Sequence, residues 1–156
     1  MSSERDERFM REALEQARIA YSLGEVPVGA VIVKGDEIVS CGYNRRETGR
    51  NALRHAELSA IDAACEALHG WRLWQCELYV TLEPCPMCTG AIINSRIPRV
   101  VFGAYDAKAG SCGSVVNLFD LPYNHKAEVE GGVLGDECGQ LLSSFFKELR
   151  ERKSKQ

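Results

Sequence analysis

The chain has 156 residues, 45% hydrophobic and 26% charged, with 19 basic against 22 acidic side chains and a formal net charge of −3. That length fits one domain, residues 1–156, and the slightly acidic balance argues against a general nucleic-acid binder, which needs a strongly basic domain. No run approaches the roughly 20 apolar residues of a membrane span, and the opening Met1-Ser2-Ser3-Glu4-Arg5-Asp6 is charged where a secretory signal needs an apolar core, so a cytoplasmic protein is expected. Seven cysteines are an odd number in a chain that is neither tiny nor secreted. Reduced thiols are therefore expected, with Cys41, Cys65, Cys76, Cys112 and Cys138 as small, partly buried side chains.

In chain order, Met10, Ala13, Leu14, Ala17 and Tyr21 recur at helical spacing and predict an amphipathic helix over about 3–23, with Ser3 and Asp6 at its cap and Gly24 as its stop. Two β-branched runs, Val28 to Val33 and Ile38 to Tyr43, flank Lys34-Gly35-Asp36-Glu37 and read as a hairpin. Asn44 follows. An amide at a strand end is either a turn residue or a donor–acceptor pair for one base edge. Arg45, Arg46, Arg50 and Arg54 are opposed only by Glu47. A charge run of this kind is ordinarily a solvated face, yet this one lies between two candidate site segments and, with a basic C-terminal tail, is enough to hold one structured RNA loop through its phosphates.

A helix carrying His55 and Glu57 is predicted to show Leu58, Ile61, Ala64, Cys65 and Leu68 on one face and to end near Gly70. Cys76 to Leu82 is apolar enough for a central strand, after which Pro84 suits the first position of a helix running through Ala91, Ile92 and Ile93. Arg99 to Gly103 reads as a short strand, Ala104 to Gly113 as a loop with Asp106 and Lys108, and Glu128 to Leu134 as a weaker last strand. Asp136 would cap a final helix with an apolar stripe of Leu141, Leu142, Phe145, Phe146 and Leu149. Lys147 to Lys155 holds five basic and two acidic residues, a local +3, which leaves the remainder of a −3 chain at −6.

Three residue types in this pattern are suited to zinc. A catalytic site supplies three thiolate or imidazole ligands and keeps a fourth position for water, and His55, Cys85 and Cys88 make three. Cys85 and Cys88 at i, i+3 lie on one helix face, near an N-terminus whose dipole favours thiolates. Glu57 is two residues after His55, about 200° round a helix, so it serves better as a proton carrier than as a fourth ligand. Taken alone, C-x-x-C is equally a redox pair or half of a structural zinc site. However, no second C-x-x-C or H-x-x-x-H closes a four-ligand cage, and a redox pair has no use for an upstream H-x-E.

H-x-E followed by P-C-x-x-C is the pattern of zinc nucleobase deaminases. Beyond it, Glu25-Val26-Pro27-Val28-Gly29-Ala30-Val31, Gly42-Tyr43-Asn44-Arg45, Leu78 to Cys85, Ser95-Arg96-Ile97, Val101-Phe102-Gly103-Ala104, Gly113-Ser114, Asn124-His125 and Phe145-Phe146 resemble the bacterial tRNA-specific adenosine deaminases over nearly the whole chain. The resemblance implies a cytidine deaminase-like fold, a three-layer α/β/α sandwich around a five-stranded mixed sheet. It implies one Zn²⁺ per subunit on His55, Cys85 and Cys88, with Glu57 as catalytic acid and base, and substrate contacts from Val28, Asn44, Ala56 N–H, Pro84 C=O and Asp106. The implied partners are a tRNA anticodon stem-loop and a second copy in a homodimer, with no membrane and no nucleotide cofactor. Two departures stand out: Ala52-Leu53-Arg54 replaces a common Pro-Thr-Ala, and Asn94 replaces a common His. Rival expectations are a free-base or nucleoside deaminase of the same fold, and a non-catalytic zinc-stabilised RNA-binding subunit, against which Glu57 argues.

Overall fold

A computed structural model describes residues 3–155; Met1, Ser2 and Gln156, including the start of the charged N-terminus, lie outside the described residues. The elements are α1 (Glu4–Ser22), β1 (Gly29–Lys34), β2 (Glu37–Tyr43), α2 (Ala56–Ala67), β3 (Cys76–Leu82), α3 (Pro86–Ser95), β4 (Arg99–Ala104), β5 (Glu128–Glu130) and α4 (Gly135–Ser154), with a 3₁₀ turn at Leu118–Asp120. The sheet runs β2-β1-β3-β4-β5. Pairs β2/β1 and β1/β3 are antiparallel, whereas β3/β4 and β4/β5 are parallel, so the sheet is mixed.

Near-continuous apolar strands bury both faces, and their period of two divides them between two cores. Ala30, Ile32, Leu78, Val80, Val100 and Phe102 face α2 and α3, packing with Ala56, Ala60, Ala64 and Ile92. Val31, Val33, Tyr79 and Val101 face the other way, against Phe9, Met10, Ala13 and Leu14 of α1 and Cys138 of α4. No helix among the described residues is long and apolar enough to cross a membrane.

One buried polar group ties the second core together. Asp6 accepts 2.9 and 2.8 Å hydrogen bonds from Arg99 and a 2.7 Å bond from the Tyr79 hydroxyl. The Arg99 guanidinium holds the Asp6 carboxyl below its ordinary range.

Several boundaries differ from the sequence expectations. His55 and Cys85 are N-caps with extended backbone, one step outside their helices, and Pro86 rather than Pro84 occupies the first helical turn. The last helix is entered through Leu134 in the left-handed region, so Asp136 lies within its first turn, where acidic charge still suits the dipole. The last strand stops at Glu130, because Gly131 packs on the Phe102 ring and Gly132 turns at φ +84°. Of the expected stripe on α4, Phe145 is buried but Phe146 is 40% exposed.

Gly42 sets how closely α2 lies on the sheet. A Cβ there would collide with the Ala56 carbonyl and sit 2.8 Å from the Ala60 nitrogen. Gly42→Ala is therefore expected to destabilise the fold by about 3 kcal/mol, because backbone rather than a side chain must move. Urea unfolding of the two proteins measures this directly.

Candidate active site

The site forms where two helices begin at one end of the sheet. His55 precedes α2, while Cys85 precedes α3 and Cys88 sits in its first turn, so two helix N-termini converge. Their positive dipole ends favour anionic ligands. His55 Nδ1 lies 3.6 Å from Cys85 Sγ and 3.5 Å from Cys88 Sγ, and the three ligand atoms all lie within 4.8 Å of one another. Bond lengths of about 2.3 Å to sulfur and about 2.0–2.1 Å to nitrogen give a tetrahedral N···S edge of about 3.6 Å. The donor set and its spacing therefore fit zinc.

Proton distribution in the cluster follows from burial and mutual hydrogen bonding. Cys85 is pulled down to about 4, first by the Cys88 thiol that donates to it and then by His55. The same hydrogen bond, together with burial, pushes Cys88 upward. His55 is raised chiefly by its contact with Cys85. Metal binding must expel the Cys88 proton and whatever share of His55 is protonated. Zinc affinity is accordingly expected to increase with pH across about pH 6 to 8, with proton release on binding. Titration calorimetry in buffers of different ionisation enthalpy counts those protons, and a pH-independent affinity would contradict the assignment.

Beside the cluster, Glu57 is only 4% exposed. Loss of solvent, reinforced by negative charge on Cys85, pushes its carboxyl up to about 7. It lines a cleft of about 230 Å³ together with His55, Cys85, Val28, Asn44, Ala56 and Asp106. Seven of the eight residues singled out in the sequence apart from Cys88 thus meet at one cavity. Pro84 does not line it: its carbonyl accepts from Ser111 N at 2.8 Å and from Thr89 Oγ1 at 3.5 Å.

Asn44 is also partly committed. Its Nδ2 donates to Val26 O at 3.2 Å and its Oδ1 accepts from Arg46 N at 3.1 Å, which leaves one N–H and one lone pair for a ligand. Asp106 Oδ1 accepts from Lys108 N and Ala109 N, shaping its own loop.

Sequence reasoning missed two buried carboxylates that hold the cleft walls. Glu83, 2% exposed, accepts from Asp106 N at 3.1 Å, Cys112 N at 3.1 Å, Ser114 N at 3.0 Å and the Ser114 hydroxyl. Glu25, 1% exposed, accepts from Glu47 N at 3.1 Å and Thr48 N at 2.6 Å. These donors hold both carboxyls below their ordinary range against the opposing effect of burial. The available signal was an isolated acid beside an apolar run and a proline, at Glu25-Val26-Pro27 and Leu82-Glu83-Pro84.

Known proteins share this arrangement. Residues 3–104 match the cytidine and deoxycytidylate deaminase zinc-binding region. The chain is 52% identical to a tRNA-specific adenosine deaminase of Bacillus subtilis (strain 168), over 95% of this chain and 92% of that protein. The chain belongs to the tRNA-specific adenosine deaminase family. This deaminase also superposes on a structure from a study of A-to-I editing by tRNA:A34 deaminases at the wobble position of transfer RNA, with a TM-score of 0.83 and 41% identity over 86% of this chain and 98% of that one. A guanine deaminase from Nitrosomonas europaea shares the fold more distantly, with a TM-score of 0.79 and 25% identity over 93% of this chain and 85% of that one.

Proposed function

We propose that this deaminase hydrolyses adenosine at the first anticodon position of tRNA to inosine, releasing ammonia, with one zinc ion per chain. The observation that carries the chemistry is a buried Glu57, its carboxyl pushed up to about 7, in one cavity with His55 and Cys85. When bound, zinc lowers the pKa of a water from about 15.7 toward about 7. His55, Cys85 and Cys88 would hold it.

Glu57 takes the attacking water's proton and carries it to the purine ring nitrogen as oxygen adds to C6. It then takes the proton of the new C6 hydroxyl and gives it to the amine, so that C6=O forms as the C6–N bond breaks and ammonia leaves; one carboxyl is base and then acid in each half. Asn44 offers its remaining donor and acceptor to the base edge. Val28 and the Ala56 N–H flank the base, and the Asp106 loop meets sugar and phosphate. Pro84 C=O takes the amine by giving up the long 3.5 Å contact from Thr89 Oγ1 while keeping the bond from Ser111 N.

The tRNA substrate is supported by the placement of the basic tail. Phase by phase along α4, Cys138 packs at Gly103 and Phe145 packs on Tyr21 at 5.7 Å, in the last turn of α1. Tyr21 also meets Glu148 and Arg152, so the basic last turns of α4 lie beside the end of α1 that leads through Glu25 to the cleft residues Val26 and Val28. Such a tail suits the phosphates of a structured RNA, while the cavity takes a splayed-out base. The protein would act as a homodimer in the cytoplasm.

Incubating zinc-loaded protein with tRNA transcripts that carry adenosine or guanosine at the wobble position, and sequencing the products, tests the proposal. Adenosine there should read as guanosine after reaction. Ammonia release from free guanine, cytosine or cytidine, without change in tRNA, would instead favour a free-base deaminase.

A further inference from the structure

The loop of residues 45–54 carries four arginines, and the structure separates one from the others. Arg46 is the one that lines the catalytic cavity. Arg45 is turned away and lies over the Tyr43 ring, 5.8 Å from its centre.

The path of this loop is set from beneath. Arg46 N donates to Asn44 Oδ1 at 3.1 Å, while the next two N–H groups, of Glu47 and Thr48, both donate to the buried Glu25 carboxylate. Its two ends are closed by Arg45 N on Arg54 O at 2.9 Å, and Asn51 N returns to Arg46 O at 3.1 Å. Arg46 thus stands on a backbone pinned on both sides, with its side chain half exposed. It forms an ion pair with Glu47 at 3.5 Å, whose side chain is 73% exposed and yields easily to a stronger anion.

We propose that Arg46 binds the phosphodiester next to the reacting nucleotide, and that Glu25 is its positioning residue. A planar guanidinium with a fork of donors suits a phosphate oxygen pair. A splayed-out base brings its own backbone to the cavity mouth, which is where Arg46 stands. This rests on a nucleic-acid substrate, as proposed above.

The test is the salt dependence of binding and of kcat/KM for an anticodon stem-loop with adenosine at the wobble position. Arg46→Ala should reduce the slope of log affinity against log salt by about 0.7, the value for one single-strand phosphate, and lower kcat/KM by about tenfold at low salt. Arg46→Lys should restore most of the slope, since the charge remains. Glu25→Gln should reproduce the Arg46→Ala slope, and the double variant should be no worse than Arg46→Ala alone. Arg11→Ala, on α1 and outside the cavity, should leave the slope at its wild-type value.

An unchanged slope in Arg46→Ala would overturn the phosphate contact. Additive losses in the double variant would overturn the positioning role of Glu25. Binding is read by fluorescence anisotropy, so a wild-type protein that binds but forms no inosine would defeat the proposed reaction while leaving the Arg46 contact scored on its own slope.

Discussion

Glu57→Gln should lower the single-turnover rate of inosine formation by about 10²–10⁴-fold, the usual contribution of a positioned acid–base group, and still hold zinc. The amide keeps the shape of the side chain but can neither take the water's proton nor return one to the amine. Its burial makes the carboxylate costly, so removing the charge is not expected to weaken the fold. Wild-type kcat/KM should also fall on the acid side as Glu57 gains its proton. Desolvation pushes that carboxyl up to about 7, and an adjacent dication draws it down, so the acid limb lies at or below neutrality. Glu57→Gln should lose this limb. Rate–pH profiles with parallel zinc analysis check both effects; a variant that retained wild-type rates would remove Glu57 from the mechanism.

Cys88→Ala should have the second large effect, through the metal rather than the proton. Cys88 is fully buried and its sulfur is one of three atoms that form the ligand group. Two remaining ligands bind zinc far less tightly, so activity should fall to background. A ligand that binds only the folded state stabilises it by about 2.7 kcal/mol when present at a hundred times its Kd. Wild type should show a gain of that order on zinc addition, and Cys88→Ala almost none. Calorimetric melting with and without zinc makes the comparison, and chelation of the wild type should reproduce the variant.

The parts of the molecule legible in the sequence are those whose signals are local. Period-two alternation in Ala30 to Val33 and Leu78 to Val80 sorts side chains onto two sheet faces, and each face is found in its own core. The three-residue spacing of Cys85 and Cys88, and the pairing of His55 with Glu57, likewise need only the pitch of a helix. What local spacing does not decide is which of two prolines opens α3. Either satisfies the first-turn rule, and the choice follows from Ser111, 27 residues from Pro84, whose N–H claims the Pro84 carbonyl at 2.8 Å. Glu83 and Glu25 escaped notice for the same reason: their donors lie 22 to 31 residues away. In the sequence the four arginines form one run between two site segments, with nothing to separate its members. Only the fold distinguishes Arg46, beside the cavity, from Arg45, laid over Tyr43.

The most direct test of the central claim is to run the reaction in heavy-oxygen water and analyse the tRNA nucleosides by mass spectrometry. Hydrolysis assisted by Glu57 places one solvent oxygen at C6 of each inosine and releases one ammonia with it. Unaltered adenosine at the wobble position, or inosine without the heavy oxygen, would contradict the assignment.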